Sequence, residues 1–318
     1  MKKIVLLLFA YIYMLNANDS VFVSVLKNVS IKDTKETINK ANTLKNDLTK
    51  ENFKAFLMSW KKVEALYFAG DINEDYIDTP RYIDVYHNLK EDLFEQMNRV
   101  INSNDEPKIA LFKNSFKTIN ALEYVLFNDD ELTNKEKQLA VFILNSIISK
   151  VNDIKNVYQI YVKNPKDNQK WENSLLINTM IASTYRLKEW RVAEVAGITS
   201  KYKNNPDYKR AEYHLSNNSL NAIKSILHAH DSIMQKASYK NFSTVSKEFG
   251  ITKQINDIQK YLNEINTEVR GFKSDDLTKD IRKANKLYKK IVALHNAYYF
   301  SLLEQLSITS KIVDADGD

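Results

Sequence analysis

The chain is short of residues that make corners. Five glycines and four prolines occur in 318 residues, where an average protein carries roughly 12% of the two together. Folds built from short strands need these residues at their turns, so such a fold is excluded. Cysteine is absent. That removes disulfides, thiolate metal sites and a cysteine nucleophile. Any metal would have to be held by Asp, Glu, His, Tyr or Asn. There is no H-E-x-x-H. His228 and His230 lie two apart, about 200° round a helix, and cannot chelate one ion from a single helix. His87, His214 and His295 are scattered and read as surface or capping residues. The net charge of +6 is spread over Lys/Glu/Asp mixtures, with no basic patch interleaved with aromatics, so nucleic-acid binding is not indicated.

What the chain does have is helical periodicity. Gly70, Pro80, Pro107, Pro165, Pro206, Gly250 and Gly271 divide it into long stretches. Ile255, Ile258, Leu262, Ile265 and Val269 form one apolar stripe. Leu277, Ile281, Ala284, Tyr288, Ile291, Leu294 and Tyr298 form another. The spacing predicts helices over 20–28, 31–47, 50–69 (ending at Gly70), 80–101, 106–127, 134–163, 168–196, 208–236, 243–249, 252–270 and 275–308. Thr133 with Glu136 is a capping box, and Gly197 sits where a helix C′ glycine is expected. The fold class is all-α, as two antiparallel helical bundles packed side by side. The polar Asn164–Gln169 stretch predicts the boundary, giving an N-terminal bundle over 18–166 and a C-terminal bundle over 167–318.

The N-terminus reads as an export signal over residues 1–17. Lys2-Lys3 is a positive n-region, Ile4 to Leu15 an apolar core, and Ala17 a small residue at the cleavage point. The run is too short for a comfortable transmembrane helix, and no membrane span is expected after cleavage. A periplasmic location follows.

Four segments carry candidate site residues. In 60–84, Trp60, Glu64 and Tyr67 share one predicted helix face, while Asp78 and Arg81 bracket a predicted helix start. In 109–127, Ile109, Phe112, Phe116, Ile119 and Leu126 make a stripe on which Glu123 falls, with Asn120 one turn earlier. A carboxylate there is costly unless paired or coordinating. In 178–194, Asn178 lies among apolar residues, and Arg186, Glu189 and Glu194 are spaced for intrahelical pairs. The segment 212–220 holds Glu212, Ser216 and Ser219.

These segments, in this order behind an export signal, resemble the imelysin-like family, classified among metallopeptidases. Its G-x-H-x-x-E signature falls here on Thr118, Asn120 and Glu123, followed by Tyr124-Val125-Leu126. Only the glutamate survives. The resemblance implies two helical bundles with a site between them, an envelope location and, for several members, a link to iron uptake. An amide is no substitute for imidazole as a transition-metal ligand.

Two readings follow. The favoured one is an exported, non-catalytic binding protein in metal (iron) uptake or handling, acting with envelope iron-transport components. Trp60, Glu64, Tyr67, Asp78, Arg81, Asn120, Asn178, Arg186, Glu212, Ser216 and Ser219 would line the site, with Glu194 as a further donor. Glu123 would be the metal ligand, for iron or another hard cation held weakly. The alternative is a metal-dependent peptidase with Glu123 as ligand or base.

Overall fold

Amphipathic repeats with good caps set the longest helices. A computed structural model describes residues 19–88 and 91–310, so the export signal lies outside the described residues. Thr133 and Glu136 form the expected reciprocal capping box and open a thirty-residue helix, Asn134–Lys163. The stripe from Ile255 to Val269 is wholly buried on Thr252–Arg270. The full helix order is α1 (Val21–Val25), α2 (Ile31–Asn46), α3 (Lys50–Ala65), α4 (Ala69–Ile72), α5 (Leu93–Asn102), α6 (Pro107–Ala110), α7 (Ile119–Phe127), α8 (Asn134–Lys163), α9 (Gln169–Arg186), α10 (Ser219–Met234), α11 (Thr252–Arg270), α12 (Ile281–Asn296) and α13 (Leu303–Gln305). No strand occurs among the described residues. The protein is all-α.

Three π-helical segments, Leu26–Ser30, Leu187–Ala193 and Ala297–Leu302, extend or join these helices. The first makes α1 and α2 one rod rather than the expected pair. Each extra residue per turn rotates the side chains that follow, and such segments are frequent at functional sites.

Several boundaries differ from expectation. The 106–127 helix is broken into α6, a 3-10 turn at Ser115–Lys117, and α7. Leu111 leaves helical geometry and Thr118 is extended, so Ile109 and Phe112 are exposed rather than on a core stripe. Thr79-Pro80 opens only a 3-10 turn, Thr79–Tyr82. The chain then runs as a loop to α5, which delivers Asp84 inward. The 50–69 helix ends at Ala65, and Gly70 lies inside α4. A Cβ there would come within 2.8 Å of the Ile77 Cα, so the close approach needs glycine. Tyr67 is therefore not on the Trp60–Glu64 helix face. Residues 208–218 begin with a 3-10 turn, Tyr208–Arg210, and continue as irregular turns, and 243–249 are turns, where longer helices were expected.

In the first half α2 packs on α3 and α8, and α7 on α5 and α8. In the second half α11 packs on both α10 and α12, and α9 on α12. The halves meet chiefly at two places, where α3 lies against α10 and where α1 lies against α9, and α3 also touches α9. At the second of these, Phe22 meets the ring of Trp171 on α9 edge-on at 6.5 Å. At the first, α3 carries the charged residues of the candidate site.

Candidate functional site

The centre of the molecule is charged. Leu57 and Lys61 lie four apart on α3, facing the core, and both are fully buried. The Lys61 ammonium lies 2.7 Å from Glu212 and 3.4 Å from Asp84, and it also pairs with Glu64. Arg191 approaches from the π segment Leu187–Ala193. Its Nε donates to Glu212 Oε2 at 2.7 Å and its Nη2 to Glu212 Oε1 at 3.1 Å, a two-point clamp. Nη2 also reaches Glu64 at 3.3 Å.

Asp84 accepts further bonds from Trp60 Nε1 at 3.3 Å, from the Tyr86 N–H at 3.0 Å and from the Tyr213 hydroxyl. Three carboxylates thus share two cations, and Asp84 takes three further hydrogen bonds. Burial lowers the pKa of Lys61, and Arg191 acts the same way. Glu212, Glu64 and Asp84 outweigh both, so the ammonium is held above its ordinary value. Burial pushes Asp84 up, but Lys61 and the Tyr213 bond hold it below the usual carboxylate range. Glu212 moves the other way, pushed up by its burial against the opposing pull of Arg191 and Lys61.

The signature segment supports this network from the side. Thr118 caps α7, accepting from the Ala121 N–H. Asn120 Oδ1 accepts the Val85 N–H at 2.7 Å and so pins the loop that carries Asp84. The Ile119 N–H is bound by the Ile83 carbonyl at 2.8 Å, fixing the same loop. Glu123 is buried. Its Oε1 accepts both the N–H of Ser216 at 2.8 Å and its hydroxyl at 2.7 Å. Burial pushes the Glu123 carboxyl up to about 7, against those two bonds.

Two cavities flank the network, and Tyr86 lines both. The larger, about 350 Å³, lies between the 64–88 segment and α9. Glu64, Tyr67, Arg81, Asn178 and Arg186 line it. The smaller, about 250 Å³, is lined by Asn120, Glu123, Glu212 and His214, among others. Trp60 is fully buried and lines neither cavity. Asp78 is exposed and pairs with Arg81 at 3.5 Å. Ser219 donates its hydroxyl to the Glu212 carbonyl at 2.5 Å, and its N–H is bound by Asp275.

The intrahelical pairs expected of Arg186, Glu189 and Glu194 do not form. Glu189 pairs with Lys188 and Glu194 with His87, because the π segment turns them away from Arg186. His87 takes φ +65° and stacks on Trp190 at 4.2 Å. His230 is fully buried between Ser183 and Tyr298 at 3.0 and 3.2 Å. His214 and His295 are half-buried, and His295 meets Thr184 at 2.9 Å.

Lys61, Asp84, Arg191 and Tyr213 were not singled out from the sequence. For Lys61 a signal existed, since it continues the Phe53–Leu57 spacing by one more turn.

Among the described residues, the one group of three acidic or histidine side chains close enough to hold a metal is Glu64, Asp84 and Glu212, with ligand atoms within 4.8 Å of one another. The Lys61 ammonium already bonds all three. As arranged, these donors do not fit a resident metal ion.

A helical protein with a buried charge network between its halves is the class this fold and site define. The Imelysin family model (peptidase M75) matches residues 28–298, and the chain belongs to the imelysin family. The crystal structure of an imelysin-like protein from Psychrobacter arcticum 273-4 is similar in fold. Its TM-score is 0.78 at 12% identity, over 92% of this chain and 96% of that one. No curated protein matches the chain in sequence.

Proposed function

We propose that this chain is a non-catalytic binding member of the imelysin family, exported to the periplasm and engaged in metal (iron) handling with envelope transport components. The export-signal pattern of residues 1–17 supports the location, and the family resemblance supports the association with iron. Among the described residues, no helix is long and apolar enough to cross a membrane.

The observation that carries the non-catalytic reading is the position of Lys61. A hydrolytic metal centre needs about three protein ligands and an open coordination position. Here the three carboxylates are shared by Lys61 and Arg191. The signature histidine is Asn120, whose amide oxygen is occupied by a backbone N–H. What remains open is the cavity beside α9, which suits binding rather than bond cleavage.

The test is a proteolysis assay with an unfolded protein substrate, with and without a chelator. No chelator-sensitive cleavage is expected. Cleavage that is abolished by the chelator and by Glu123→Gln would establish the alternative, a metal-dependent peptidase.

A further inference from the structure

The cations at the centre of this protein are not all paired. Lys61 and Arg191 are each bonded to carboxylates. Arg186, one turn before Arg191, has no ion pair or hydrogen bond among the described residues, although it lies within the field of Glu64 and Glu212. Burial pushes its guanidinium below the ordinary arginine value. A guanidinium carries five N–H donors in a planar fork, and Arg186 is half-buried, so its fork is open to a ligand.

Arg186 lines the cavity of about 350 Å³. Asn178, Ala182 and Arg186 follow one another at four-residue spacing on α9 and share one wall. Ala182, between the two polar residues, leaves room where a larger side chain would fill the space. Tyr67, Tyr86 and Trp190 supply aromatic surface. The facing wall carries Glu64 and Asp84, already committed to Lys61.

We infer that this cavity binds a small organic monocarboxylate, its carboxylate on the Arg186 fork and its apolar body against the aromatic wall. The planar fork matches a carboxylate at two points. The acidic facing wall disfavours a more highly charged anion such as phosphate. The inference rests on reading the cleft as a binding site.

Calorimetric titration with benzoate, acetate, benzyl alcohol and inorganic phosphate tests it on the full chain. Benzoate is expected to bind one per chain with Kd below about 1 mM and tighter than acetate, with benzyl alcohol and phosphate much weaker. Arg186→Met should weaken benzoate by about tenfold or more. It should leave the thermal midpoint unchanged or higher, because no ion pair is lost. Ala182→Leu should abolish binding by filling the cavity with the guanidinium intact, and it decides the matter if the arginine variant does not fold.

Absence of benzoate and acetate binding would overturn the inference. So would binding that survives both substitutions, or phosphate binding as tight as benzoate. None of these outcomes bears on catalysis, which the proteolysis assay reads separately.

Discussion

The Lys61 ammonium sits 2.7 Å from the Glu212 carboxylate, across 151 residues of chain. Both groups are fully enclosed. Removing one partner of such a pair leaves the other buried and uncompensated. Lys61→Met should therefore cost about 3–5 kcal/mol in urea unfolding. The double variant with Glu212→Gln should recover part of that loss. A coupling energy near zero in the double-mutant cycle would mean the pair contributes nothing specific.

Glu123 should make stability depend on pH. Its carboxyl is raised from 4.5 to about 7 in the folded protein. Between those values the folded chain keeps a proton that the unfolded chain has lost. Stability from this group is thus full below pH 4.5 and falls as pH rises to about 7. The total is about 3 kcal/mol. Glu123→Gln keeps an acceptor for Ser216 without the ionisation. Its stability relative to the unaltered protein should be near zero at pH 4 and favourable by about 3 kcal/mol at pH 8. A difference that does not vary with pH would contradict the burial argument.

His230 works in the opposite direction on the pH scale. Burial and the nearby Arg186 charge lower it from 6.5 to about 3. A base with a depressed folded value stabilises the fold above the unfolded value, and that stability is lost as pH falls through the window from 6.5 to about 3. The loss is about 1.4 kcal/mol per pH unit. Nitrogen NMR of the imidazole should show His230 neutral at pH 5. A protonated ring at that pH would contradict its enclosure between Ser183 and Tyr298.

Two glycines at the same φ of +67° separate strain from crowding. A Cβ on Gly197 would meet the Pro206 nitrogen at 2.8 Å, whereas at Gly250 the nearest atom is the Gln305 amide at 4.0 Å. Gly250→Ala should cost about 1 kcal/mol from conformation alone. Gly197→Ala should cost clearly more. Equal losses in thermal unfolding would remove the packing explanation.

Much of this fold was legible in sequence where caps and stripes agreed. Helices α8 and α11 begin and end within a residue of the expected positions. The break in the 106–127 segment was not legible, because neither Leu111 nor Thr118 is a glycine or proline. The charge network was hidden for a different reason. Its carboxylates come from positions 64, 84 and 212, so no local pattern joins them. Lys61 continues an apolar stripe, but a lysine there ordinarily snorkels to water along its own stem. Arg191 is aimed by a π segment, which no helical spacing predicts. Asn120 and Glu123 were legible as unusual polar residues on an apolar helix, while their partners, the Val85 N–H and Ser216, depend on loop positions.

The most direct test of the account is a calcium and cobalt titration of the unaltered protein beside Lys61→Ala, followed by calorimetry. If Lys61 is the built-in cation of the Glu64–Asp84–Glu212 trio, the unaltered protein takes up neither ion stoichiometrically. The variant, with the Lys61 charge removed from Glu64, Asp84 and Glu212 while Arg191 still holds Glu212, gains one site. One-to-one binding by the unaltered protein that is lost on Glu212→Gln would contradict it.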